Sequence, residues 1–196
     1  MKKKRKKKSH RKNRAGKVIF LLFLIGIGVS IFYLFRQEIS DSTKPWFEKR
    51  GILREKKGIV LYFSDGEGEY LIGEKREIWK KEDVEEEAEE AVNELIKGPK
   101  GKLIRTLPSQ TRLLNLELGG EGVAKVNFNK ALSKDHPGGS SAEMMTLYSI
   151  VNSLTFNFPQ IKQVQILIDG KPVETIAGHL SLKRPISPNS KLIKKR

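Results

Sequence analysis

Eighteen consecutive residues without a charge, Val18 to Phe35 (VIFLLFLIGIGVSIFYLF), follow directly on seventeen N-terminal residues that carry eleven Lys and Arg. At about 1.5 Å rise per residue a helix of that length covers roughly 27 Å, close to the ~30 Å hydrocarbon thickness of a bilayer. The run predicts a single transmembrane helix over 18–35. Lys2 to Lys8, Arg11, Lys12, Arg14 and Lys17 flank it on one side, with only Arg36, beside Glu38 and Asp41, on the other. Basic residues near a span are retained in the cytoplasm, so the N-terminus is expected inside and the rest of the chain outside. A cleaved signal peptide needs a shorter apolar core and a small-x-small cleavage site, which Arg36-Gln37-Glu38-Ile39-Ser40 does not offer. A lipoprotein signal needs a cysteine, and the chain has none. A helix apolar all round beside a polybasic block also differs from a buried core helix.

Charge is divided between segments. Outside the basic stub 1–17 and the basic tail 183–196, residues 56–182 carry sixteen Lys and Arg against nineteen Asp and Glu, a net charge of −3. Nucleic-acid binding rests on clustered Lys and Arg that neutralise phosphates, so the folded part is not expected to bind nucleic acid. The stub is explained as a topology signal that also touches anionic lipid, at about 1 kcal/mol per basic residue near the surface. Without cysteine the domain has no disulfide, no thiol nucleophile and no Cys-ligated metal. It must hold itself together by packing.

The expected organisation is a cytoplasmic stub over 1–17, the span over 18–35, a polar juxtamembrane linker over 36–57, one domain over 58–182 and a disordered tail over 183–196. Ile59, Leu61 and Phe63 alternate with Val60 and Tyr62, and Asp65-Gly66-Glu67-Gly68 turns into a second strand, Tyr70 to Trp79. Asp83 with Glu86 predicts a capping box; Val84, Ala88, Ala91, Val92, Leu95 and Ile96 then recur at helical spacing until Gly98-Pro99. The opposite face, Glu85, Glu86, Glu87, Glu89 and Glu90, reads as a solvated helix face and not as a metal site. Leu114, Leu116 and Leu118 form a hairpin with Ala124, Val126 and Phe128 across Gly119-Gly120-Glu121-Gly122. An irregular stretch, 129–139, precedes a second expected capping box, Ser140 with Glu143. Leu147, Val151, Leu154 and Phe158 stripe that helix, and Pro159 ends it. Val164, Ile166 and Ile168 form a strand, Asp169-Gly170-Lys171-Pro172 reverses it, and Val173 to Leu180 is expected to run back. The order β-β-α-β-β-α-β-β predicts an α+β fold, a largely antiparallel sheet with two helices packed on it.

The segments AVNELIKGPKG (91–101), LPSQTRL (107–113), VAKVNF (123–128), HPGGS (136–140), LYSIVNSL (147–154) and VQILIDGKPVETIAG (164–178) together resemble the GerMN domain family of endospore-forming bacteria. The resemblance runs in order from about Gly58 to Leu182. It implies a non-catalytic cell-surface module that serves spore formation or germination by assembling an envelope complex, and it extends to the small α/β modules that build rings in secretion-like channels. On this reading the protein sits in the cell membrane with a single pass and partners another envelope protein, in a homo- or hetero-oligomeric assembly, with no cofactor and no metal.

The chemistry is weighed separately. His136, Ser140, Asp169 and His179 are the residues from which a hydrolytic constellation could be drawn, yet their spacing matches no nucleophile elbow. Ser140 reads as a helix cap, Asp169 as the start of a turn and His136-Pro137-Gly138-Gly139 as loop geometry, so no catalysis is expected. An alternative class is binding of peptidoglycan or another wall polysaccharide in vegetative cells through Trp46, Tyr62, Tyr70 and Trp79, which requires a row of exposed aromatics on one sheet face. The favoured class is protein interaction, through an exposed strand edge or the loop 129–139. The expected contact surface is His136, Gly138, Gly139, Asp169 and Gly170.

Overall fold

The computed structural model describes residues 18–32 and 55–194. They belong to two units, Met1–Arg54 and Glu55–Arg196. In the first, residues 18–32 form helix α1 with exposed side chains. The fifteen described residues of this helix cover about 22 Å. Among the described residues no helix is long and apolar enough to cross a membrane. The described helix covers residues 18–32 of the expected span over 18–35; residues 33–35, the stub 1–17 and the linker up to residue 54 lie outside the described residues.

The second unit contains strands β1 (Lys56–Ser64) and β2 (Leu71–Trp79), helix α2 (Val84–Lys97), strands β3 (Leu113–Leu118) and β4 (Val123–Phe128), the short helix α3 (Ala131–Lys134), helix α4 (Ser140–Thr155), and strands β5 (Gln163–Ile168) and β6 (Lys171–Pro172). Ile59, Leu61 and Phe63 of β1, Ala88, Ala91, Val92 and Leu95 of α2, Leu147, Ile150, Val151 and Leu154 of α4, and Val126, Phe128, Val164 and Ile166 share one apolar core. Each fully buried Leu, Ile or Phe contributes about 1.5–3 kcal/mol. The helical and strand periods in the sequence thus place the right faces inward.

The α+β class and the mostly antiparallel pairing agree with the sequence reading, and three finer points are corrected. There are two sheets, not one: the hairpin β1-β2, and a four-stranded sheet ordered β3-β4-β5-β6. Within the second, β4 pairs with β5 in parallel. The physical reason is the connection, because a strand joined to its neighbour through a helix returns in the same direction. No strand forms over 173–180 as predicted; the return pairing is confined to Lys171–Pro172, residues expected to belong to the turn. Beyond it the backbone N–H groups of Ile176, Ala177 and His179 donate to the carboxylate of Glu143 on α4 instead of to a strand.

The expected disorder of 183–196 is also corrected for residues 183–194; the last two lie outside the described residues. Ile186 exchanges two backbone hydrogen bonds with Val164, at 2.8 and 3.0 Å. The buried amide of Asn152 donates to Asn189 O at 3.0 Å and accepts from Asn189 N at 2.9 Å. Lys194 N donates to Leu71 O at 2.9 Å. A basic composition with scattered prolines hides these three attachment points, since each depends on a partner distant in sequence.

Candidate functional site

The parallel strands β4 and β5 end side by side, and at such carboxyl ends the connecting loops of α/β units gather. The loop 129–139 leaves β4 there, and the turn Asp169-Gly170 leaves β5. Asp169 N donates to Phe128 O and Gly170 N to Asn127 Oδ1, both at 2.8 Å, which ties the turn to the start of the loop. Asp169 and Gly170 have φ of 48° and 79°, the backbone of a two-residue hairpin turn with both central residues left-handed. Both are exposed.

The loop is more ordered than its sequence suggests. It contains α3, whose Ser133 hydroxyl donates to Ile176 O. His136 accepts from Gly138 N through Nδ1, at 3.0 Å, and its Nε2 lies 3.0 Å from Thr146 Oγ1. The first bond fixes the proton on Nε2, so the ring donates to Thr146, which donates in turn to Thr106 O. Burial pushes the His136 pKa below its ordinary value, more than nearby Glu143 raises it. Gly138 and Gly139 follow at φ of 81° and 87° and lead into α4.

Ser140 does not cap that helix. Gly139 occupies the cap position without a side-chain bond, and Glu143, expected to complete a capping box, is 0% exposed and reaches the other way. Its Oε1 accepts from Ile176 N at 2.8 Å and Ala177 N at 3.0 Å, and its Oε2 from His179 N at 2.8 Å. Burial alone would raise the Glu143 pKa, but these backbone donors hold it below the ordinary glutamate value. Glu143 thereby locks segment 173–180 over the end of the β4-α4-β5 unit, and nothing in its spacing to Ser140 announces this role.

The four residues of the imagined hydrolytic constellation stand apart in their bonding. His136 engages Gly138 and Thr146, His179 is held by its backbone N–H, Ser140 is exposed and Asp169 sits in its turn. Among the described residues no group of three His, Cys, Asp or Glu side chains is arranged to hold a metal ion.

Comparison with known proteins places this arrangement. The sequence profile of Germane, described as sporulation and spore germination, matches residues 60–174, more than half of the chain. The chain belongs to the Germane family. Among solved structures it is similar to a candidate lipoprotein from Clostridium perfringens, with 26% identity, TM-score 0.50, and coverage of 67% of this chain and 87% of that one. The first GerMN domain of the sporulation protein GerM from Bacillus subtilis matches with 22% identity and TM-score 0.50, over 69% of this chain and 98% of that one. The tandem GerMN domains of the same protein match with 20% identity and TM-score 0.52, over 68% of this chain and 46% of that one. The two GerM structures share the fold. No curated protein sequence matches.

In this Germane domain Glu86 alone of the acid run of α2 is exposed as expected, and the other four glutamates are bonded to neighbouring segments. Glu85 accepts from Leu118 N at 2.8 Å and Glu89 from Leu116 N at 3.0 Å, closing the outer edge of β3. Glu90 accepts from Trp79 N at 3.0 Å on β2, and Glu87, buried, binds Lys57 Nζ and Lys81 N. Helix α4 and the turn after it treat β1 similarly: Ser153 Oγ accepts from Tyr62 N, Ser149 Oγ donates to Tyr62 O, and the Asn157 amide, just beyond the helix, exchanges bonds with Val60 N and O. Helical side chains occupy positions where neighbouring strands would otherwise pair.

The aromatics proposed for wall binding are distributed differently from a row. Tyr62 and Trp79 lie on the outward face of the β1-β2 hairpin, but Gly58 and Val60 separate Tyr62 from Lys56, the partner of Trp79 in the register. Six residues of strand correspond to about 20 Å. Tyr62 stacks edge-on with Phe156 at 6.0 Å, Lys56 covers Trp79 at 5.4 Å and Lys194 covers Tyr70 at 5.6 Å. Trp46 lies outside the described residues.

Proposed function

We propose that this Germane chain is a membrane-anchored, extracytoplasmic module that holds another envelope protein during sporulation or spore germination and catalyses no reaction. The observation that carries this reading is the construction of the loop end of β4-α4-β5. A buried carboxylate fixes segment 173–180, the ring nitrogens of His136 are engaged by Gly138 and by Thr146 of α4, and the exposed groups at Gly139, Asp169 and Gly170 are surface features of a rigid frame. Such a frame suits recognition of a partner, which gains when the binding loops are already ordered. Family membership supports the link with sporulation and germination.

The apolar residues of α1 directly after eleven basic residues support anchoring in the membrane with the N-terminus inside. The similarity to a candidate lipoprotein supports a site of action at the membrane surface. Wall-polysaccharide binding is the weaker reading, because Tyr62 and Trp79 share a face without forming a continuous platform.

A fluorescent protein fused at Met1 tests the reading in the native host. Signal that appears in sporulating cells and gathers at the engulfing membranes supports it. A uniform ring in vegetative cells transfers the role to general wall maintenance.

A further inference from the structure

One strand edge in the hairpin sheet is left open among the described residues. Antiparallel pairing directs backbone groups alternately toward the partner strand and away from it. Asp65 N donates to Tyr70 O and Lys80 N to Glu55 O, and with the β1-β2 register this assigns the inward groups to Ile72, Glu74, Arg76 and Ile78. The outward groups on β2 then belong to Leu71, Gly73, Lys75, Glu77 and Trp79. Lys194 N takes Leu71 O and Glu90 takes Trp79 N. The N–H and C=O of Gly73, Lys75 and Glu77 have no such partner among the described residues.

The neighbourhood of this edge shapes what can fill it. A groove of about 710 Å³ includes Lys75, Arg76, Glu77 and Lys100 in its lining, and another of about 500 Å³ includes Gly73, Lys75 and Ile193. Glu77 is paired with Lys56, and Glu74 with Arg76. Lys75 and Lys100 are exposed and carry no ion pair among the described residues. The C-terminal segment already approaches β2 in parallel, with Ile193 opposite Leu71, so the edge is seen to accept an added backbone at its first residue.

We infer that β2 receives an extended acidic segment of a partner protein, paired through Gly73, Lys75 and Glu77, with carboxylates facing Lys75 and Lys100. Backbone pairing supplies the attachment and the two lysines select the sequence. Two-fold antiparallel pairing of a second copy centred on Lys75 would set lysine directly against lysine. The inference rests on the interaction reading above but uses a different surface from the 136–139 loop and the 169–170 turn.

The test uses the full chain in a membrane mimetic and three synthetic probes: an alternating valine–glutamate peptide, its valine–lysine counterpart and the β2 sequence itself. The valine–glutamate peptide is expected to bind and to slow hydrogen exchange at the amides of Gly73, Lys75 and Glu77. Lys75→Pro removes an outward donor while sparing the inward bonds, so it should abolish binding with the thermal midpoint nearly unchanged. Lys75→Glu should weaken binding of the acidic peptide about tenfold and improve that of the basic one. No binding of the acidic peptide, binding that survives Lys75→Pro in a folded protein, or equal binding of the basic peptide would overturn the inference. Tighter binding of the β2 peptide would overturn it in favour of a second copy. Failure here alongside crosslinks from Gly139 or Gly170 would leave the interaction reading standing without this edge.

Discussion

Replacing Glu143 probes the frame of the loop end. Its carboxylate accepts from Ile176, Ala177 and His179 at 2.8 to 3.0 Å while itself fully buried. Hydrogen bonds to a charged group contribute about 1.5–3 kcal/mol each, and a buried donor left without a partner costs about 1–3 kcal/mol. The Ile176 bond is buried, whereas His179 is exposed and can recover water. Glu143→Ala should therefore cost about 3–5 kcal/mol, below a simple triple sum. Glu143→Gln keeps an oxygen for Ile176 and Ala177 but turns an amide N–H₂ toward the His179 N–H, at about 2 kcal/mol. Urea unfolding at pH 7 measures both, and exchange of the 176–179 amides should accelerate before the rest of the domain. The pH dependence provides a second check. The folded pKa lies below the ordinary glutamate value, so the contribution is complete above the unfolded value of about 4.3 and is lost as pH falls through the folded value. The gap between wild type and Glu143→Gln should narrow in that window. A Glu143→Ala cost under about 1 kcal/mol, or a gap that does not change with acid, would refute the reasoning.

Further substitutions test the other polar contacts. Glu89→Ala should cost about 1 kcal/mol by urea unfolding and speed exchange at the Leu116 amide, whose acceptor it removes. Asn157→Ala removes both bonds to Val60 and should cost about 2 kcal/mol. Gly73→Ala would place a methyl 2.7 Å from Val60 Cγ1, so it should destabilise the hairpin by about 1–2 kcal/mol, with Val60→Ala restoring part of the loss. His136 should titrate below the ordinary value of about 6.5 by NMR. Its folded pKa is depressed, so stability should fall as pH drops from neutrality through the unfolded value and level off below the folded one; His136→Gln should remove that component.

Apolar periods made much of this fold legible. The two hairpin turns at 65–68 and 169–170 and both long helices follow from residues that signal locally. The pairing of β4 with β5 did not follow from period two, which assigns faces but not neighbours; the helical connection between them held that information. The acid run of α2 was misleading because helical amphipathicity describes the helix alone, whereas Glu85 and Glu89 answer the unpaired N–H groups of β3. Ser140 and Glu143 had the spacing of a capping box, and the distant N–H groups of 176–179 captured the glutamate instead. Among the candidate contact residues, the turn geometry of Asp169-Gly170 was readable, but the engagement of His136 by Thr146 was not. The open edge of β2 depends on which distant groups reach Leu71 and Trp79 and which do not reach the residues between them, so no local pattern reports it.

The most direct measurement of the central claim is photocrosslinking in the native host, with a photoreactive amino acid at Gly139 or Asp169, followed through growth and sporulation. The account predicts adducts to another envelope protein that appear with sporulation and are absent when the same group is placed at buried Val126. Full-length, folded chain at the membrane that yields no adduct from either position at any stage would contradict it.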